Sequence, residues 1–218
     1  MLIPLYGAVL FLSAFLLFWV QPLFTKMALP LLGGSPSVWN TALMFFQLTL
    51  LAGYGYAHLL NRFLAPRHQA WLHGAVAAAS LAFLPIGLAA GTQPAGHWPA
   101  LWLIGLLAAS LGLPFFTLAA TAPLLQSWFS RTGHRHGADP YFLYAASNAG
   151  SLLALFAFPL LLEPRLTLGE QSRSWAWLYA GLLALVVACA VPARHASRLQ
   201  QTDRTDTRPT WRLSLIHI

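Results

Sequence analysis

Residues 19–40 read "WVQPLFTKMALPLLGGSPSVWN", and how they are read decides the fold. The stretch begins as an apolar helix, carries Gln21, Pro22 and the chain's single lysine, Lys26, and breaks at Gly33-Gly34. Together with the apolar residues that precede it from about residue 3, the run is long enough to cross a lipid bilayer, whose hydrocarbon core is about 30 Å thick. The rest of the chain repeats the pattern. Of its 218 residues, 58% are hydrophobic and only 8% are charged, against about 25% charged in an average soluble domain. Spans are expected near 3–24, 38–61, 70–90, 100–123, 141–162 and 174–193. Residues 1–194 then form one six-helix transmembrane domain, and 195–218 a polar cytoplasmic tail or linker.

In lipid every backbone polar group must be satisfied within the protein. Runs of this length are therefore helices, since barrel strands are shorter and alternate in polarity. The expected class is all-α, a polytopic helical membrane bundle. No basic n-region opens "MLIPLYGAVLFL" and no small-residue cleavage site follows, so the first helix is expected to stay attached.

Basic residues set the orientation. With the N-terminus inside, the inner segments carry Arg62, Arg67, Arg131, Arg135, Arg194, Arg198, Arg204, Arg208 and Arg212, while the outer ones carry only Lys26, Arg165 and Arg173. That asymmetry places both termini in the cytoplasm, and the localisation expected is a bacterial inner membrane. The formal net charge of +7 is a topology signal; no basic surface interleaved with stacking aromatics points to nucleic acid.

Polar residues are unevenly shared among the spans. Asn40, Met44, Gln47, Leu51, Tyr54, His58 and Asn61 fall on one face of the second. Ser110, Pro114, Thr117 and Thr121 form a stripe on the fourth, and Tyr141, Tyr144, Asn148 and Ser151 one on the fifth; the first offers Ser13, Gln21 and Thr25. The third and sixth offer little beyond Ser80 and Tyr179 and are expected to face lipid. A period of three helices implies two three-helix repeats, the plan of one half of a major-facilitator transporter. Gln21, Lys26, Asn40, Gln47, Tyr54, His58, Thr117, Thr121, Tyr144 and Asn148 are the candidates for lining a cavity or holding a solute. The same stripes also fit interhelical hydrogen bonding, worth about 0.6 kcal/mol each, and the residues leave both readings open.

Lys26 is either a snorkelling residue at a helix end or a fixed positive charge beside a cavity; no carboxylate inside the expected spans can partner it. A carrier of polyamines, or a carboxylate proton relay, would need such an acid. A neutral or anionic solute is the better fit. Cys189 has no partner for a disulfide, and His134 with His136 are too few for a metal site. No cofactor and no catalytic residue is expected.

"QPLFTKMALPLLGGSPSVWNTALMFFQLTLLAGYGYAH", "LPFFTLAATAPLLQSWFS" and "DPYFLYAASNAGSLLALFAFP" closely resemble the bacterial fused major-facilitator/spermidine-synthase-like membrane proteins, over about residues 10–162. The resemblance implies a membrane region followed by a cytosolic aminopropyltransferase-like domain. After Arg194 only 24 residues remain, too few for such a domain, so this chain is not expected to be the enzyme. The closing "LSLIHI" returns to apolar character and looks like translated adaptor sequence, and the natural protein is expected to continue beyond about residue 212. Besides the lipid bilayer, the partners implied are a second copy of the chain, as a homodimer, or the synthase-like domain. Three functions follow: a transport or channelling module for a small neutral or anionic solute, a membrane anchor or scaffold for that domain, or an enzyme component active only with that domain attached.

Overall fold

The computed structural model describes residues 2–33, 35–88, 98–132 and 140–206, with side chains as far as residue 190. Six helices make an all-α bundle, and no strand occurs among the described residues: α1 Leu2–Leu32, α2 Pro36–Phe63, α3 Pro66–Ser80, α4 Pro99–Ser130, α5 Tyr141–Arg165 and α6 Leu168–Asp206. Five are long and apolar enough to cross a membrane, α6 through its part Leu168–Ala190.

Local chemistry explains where the helices differ from the expected spans. α1 passes through Pro22 and continues to Leu32, and side chains beside the proline add bonds to the helix backbone. The amide of Gln21 donates to the Leu17 carbonyl at 3.1 Å and the Thr25 hydroxyl to the Gln21 carbonyl at 2.7 Å. Gly33 then ends the helix at φ 74°, a left-handed conformation that glycine adopts without a Cβ penalty. Pro36, Pro66 and Pro99 open α2, α3 and α4, where a missing N–H costs nothing. Wide π-turns at Ala108–Gly112 and Phe158–Leu162 carry α4 and α5 past Pro114 and Pro159.

The third span is shorter than the expected 70–90. Its α-helix stops at Ser80, a 3-10 turn covers Leu81–Phe83, and Leu84 is extended before Pro85, because the proline ring disfavours a helical residue in front of it. Residues 89–97 lie outside the described ones. α6 begins earlier than expected. Thr167 and Glu170 cap it reciprocally: the Thr167 N–H donates to the Glu170 carboxylate at 2.9 Å and the Glu170 N–H to the Thr167 hydroxyl at 3.3 Å. Its backbone also stays helical through Asp206, where a linker was expected from 195 onward; no Gly or Pro interrupts 195–206.

α1 and α4 form the centre. α1 packs against α5, α6 and α4, and α4 against α2, α3 and α1, while α3 meets α6. Exchanging α1 with α4, α2 with α5 and α3 with α6 leaves that pattern unchanged. Hydrogen bonds repeat the exchange. Gln69 donates to carbonyls nine and five residues upstream, Leu60 and Leu64, and accepts from the Trp128 indole at 2.8 Å. Gln171 donates to carbonyls at the same two spacings, Leu162 and Leu166, and accepts from the Trp19 indole at 3.3 Å. Each glutamine closes a helix-to-helix turn that would otherwise leave carbonyls bare. Two glycines set the spacing of equivalent pairs: Gly53 of α2 lies against Ala119, and Gly150 of α5 against the backbone of Phe11.

The expectation that the third and sixth spans face lipid is corrected. Gln69, His73 and Ser80 of α3 and Gln171, Ser172 and Tyr179 of α6 are buried. Ser80 and Tyr179, the lone polar residues expected there, bond each other at 2.6 Å, and Ser172 donates to the Ile86 carbonyl. The least covered helices are α2 and α5, with 28% and 22% of their spans buried against 39% for α6.

Candidate functional site

A cavity of about 190 Å³ opens among α1, α2, α4 and α5. Its polar lining comes from Ser13 and Gln21 on α1, Gln47 and Tyr54 on α2, and Ser147 on α5, set among Phe18, Phe46 and Phe115. Gln47 and Tyr54 are seven residues apart, two helical turns, so both project from α2 on the side of the opening. Neither makes a hydrogen bond to another described residue. Gln21 spends its amide N–H on the Leu17 carbonyl, which leaves its side-chain oxygen able to accept. No charged side chain lines the cavity.

Three of the ten candidate residues, Gln21, Gln47 and Tyr54, therefore come together. Asn40 and His58 are exposed on the two ends of α2, and Tyr144 and Asn148 are exposed on α5 beside Ser147. Thr117 and Thr121 point the other way, into the bundle. Both are buried; Thr117 donates to the Leu113 carbonyl at 2.8 Å, and Thr121 to that of Thr117 at 2.7 Å while contacting His73 at 3.3 Å. Asn61, the last residue of the α2 stripe, accepts from Ser127 of α4 at 2.7 Å. The stripes thus divide between cavity and interhelical bonding.

Lys26 corrects a further expectation. It does not line the cavity and it does have a carboxylate partner, Glu163. The π-turn carries α5 past residue 162, so Glu163 comes level with the second half of α1. Both side chains remain partly exposed, at 33% and 41%. Pairing removes the fixed positive charge that an anion would have recognised.

Sequence reasoning missed Ser147, which lies one position before the selected Asn148, and it missed the buried His73. For Ser147 a usable signal was its place three residues after Tyr144 on a helix. His73 sits in the run before "AVAAAS", where no polar periodicity marks it. His134, His136 and Asp139 lie outside the described residues, and no cluster of three metal-ligating side chains occurs among the described ones. Cys189 is buried and unpaired.

No family model, curated protein or solved structure matches the chain.

Proposed function

We propose that the chain is a membrane domain that holds a small neutral, hydrogen-bonding solute in the cavity among α1, α2, α4 and α5, as one six-helix half of a transport or channelling pathway. The observation that carries this reading is the lining itself: Gln47 and Tyr54 reach the opening with no partner among the described residues. Uncharged polar groups in hydrocarbon are costly unless something bonds them, and a water-filled or solute-filled cleft does so. Aromatic walls and a few converging polar groups are the usual makeup of a small-molecule site. A polyamine would need carboxylates that the lining lacks, and an anion would need the charge that Glu163 neutralises.

A major-facilitator-type pathway uses two such halves. The exposed polar residues Asn40, His58, Tyr144 and Asn148 on α2 and α5 favour a second copy of the chain as the other half. The arginine asymmetry favours an inner-membrane protein with both termini in the cytoplasm.

The test is labelling with a membrane-impermeant maleimide in intact cells, on a Cys189→Ser background. Cysteines at Gln47 and Tyr54 should react, whereas cysteines at the buried Val186 and at Leu160, which is exposed on the apolar face of α5, should not. Protection at all four positions would overturn the reading.

A second function, an anchor for a cytosolic domain, is favoured by one observation. α6 continues about 24 Å past Ala190 at 1.5 Å per residue, as a polar helix reaching Asp206.

A further inference from the structure

The buried face of α3 holds a second polar cluster, separate from the cavity. The His73 ring lies among Thr121 of α4, the Trp128 indole edge at 6.5 Å between centroids, and Tyr56 of α2 at 6.1 Å. Its burial is nearly complete, with 1% of the residue exposed.

Hydrogen-bond directions fix the ring's state. Thr121 gives its hydroxyl proton to the Thr117 carbonyl at 2.7 Å, so towards His73 it can only accept. Nε2 of His73 therefore carries the proton and donates. Nδ1 is left as a lone-pair acceptor, and it has no partner among the described residues. The Tyr56 hydroxyl is also buried and also without a partner. One atom needs a donor, the other can supply a proton, and no acid or lysine is among the described groups around them to charge the imidazole.

We propose that Tyr56 and His73 hold a resident water molecule between α2, α3 and α4. Water accepts the Tyr56 O–H and donates to His73 Nδ1, completing a chain that runs through Thr121 to the Thr117 carbonyl. Buried waters characteristically occupy such sites, bonded to two or more otherwise unsatisfied polar groups. Phe116, packed on the Tyr56 ring at 5.2 Å between centroids, and Trp128 wall the site with apolar surface. The site therefore admits a small protic molecule able both to accept and to donate, and excludes ions. α2 and α3 touch each other little, so this water adds a second polar tie between them beyond the one Gln69 makes to the Leu60 and Leu64 carbonyls.

Thermal unfolding of the purified full chain with Tyr56→Phe decides the point by its sign. A hydroxyl that bonds nothing is better removed, and the variant would then unfold at the same or a higher temperature, which would overturn the proposal. A hydroxyl that anchors the water leaves both the water and Nδ1 short of a bond when lost, and Tm should fall by about 3 °C. A density map that resolves water supplies the second measurement. A peak within hydrogen-bonding distance of both atoms is expected; direct contact of Tyr56 with His73, with no peak between, would refute the site.

Discussion

Trp128 donates its indole N–H to the side-chain oxygen of Gln69 at 2.8 Å, while the same glutamine's amide holds the Leu60 and Leu64 carbonyls where α2 turns into α3. One side chain thus ties three helices. Gln171 does the same where α5 turns into α6, with Trp19 as donor. Since α1 and α4 run in opposite directions through the bundle, the two ties fall at opposite ends of it.

Replacing Gln69 with Leu should be among the costliest polar substitutions in the chain. It keeps the bulk but strips the partner from the Trp128 indole N–H and from the Leu64 carbonyl, while the Leu60 carbonyl keeps its bond from the Leu64 N–H. With intramembrane bonds often worth less than 1 kcal/mol but unsatisfied groups costing more, a loss of about 2 kcal/mol is expected. Reversible unfolding in mixed micelles measures it. Gln171→Leu should cost less, because its bonds are longer, at 3.1 to 3.5 Å.

The Lys26–Glu163 pair should contribute little to stability. Both partners are partly exposed, and pairs of that kind are worth about 0–1 kcal/mol. Lys26→Met and Glu163→Gln should each destabilise by no more than that, and the double variant should recover most of the loss. Solute binding should be indifferent to both, since neither residue lines the cavity. A binding defect confined to Lys26→Met would point instead to an anionic solute.

Gly150→Ala should separate α1 from α5. A Cβ there would overlap the Phe11 carbonyl oxygen and lie 2.9 Å from its carbonyl carbon, and backbone cannot rotate aside. Overpacking of this kind costs about 1–3 kcal/mol. Gly55→Ala is the control, because nothing lies within 4 Å of its Cβ position; there the helix propensity of alanine should make the change neutral or favourable. Unfolding midpoints of the two variants should therefore move in different directions.

How much of this was legible follows from what hydrophobicity can report. Length and apolarity located all six helices, because a bilayer requires both. They could not show that the third span turns extended at Leu84, ahead of Pro85, or that α1 continues past Pro22. Of the α2 stripe, Gln47 and Tyr54 line the cavity while Asn40, His58 and Asn61 do not. The equal treatment of Thr117 and Thr121 did not hold, since a polar stripe does not reveal whether it faces a cleft or a neighbouring helix. Glu163 was passed over as a partner for Lys26 because it lies one residue beyond the expected fifth span, 141–162, and 137 residues away in sequence. Only the packing of α1 on α5 brings them together.

Thr121 gives the sharpest separation between lining and bonding. Its hydroxyl accepts from His73 and donates to the Thr117 carbonyl, so Thr121→Val removes both bonds at constant shape. The His73 N–H is then stranded, at an expected cost of about 1 kcal/mol or more. Thr117→Val loses a bond to the Leu113 carbonyl, which keeps its helical partner, and a hydrogen bond with Tyr179 of α6, so it should also lower the unfolding midpoint. Cysteines at either position should resist the impermeant maleimide that reaches Gln47 and Tyr54. If Thr121→Cys labels as readily as Tyr54→Cys, water extends behind α4 and the division between cavity and core fails. If it stays protected while Thr121→Val lowers the unfolding midpoint, α4 serves the solute face through Phe115 and its neighbours and uses its threonines to hold α3.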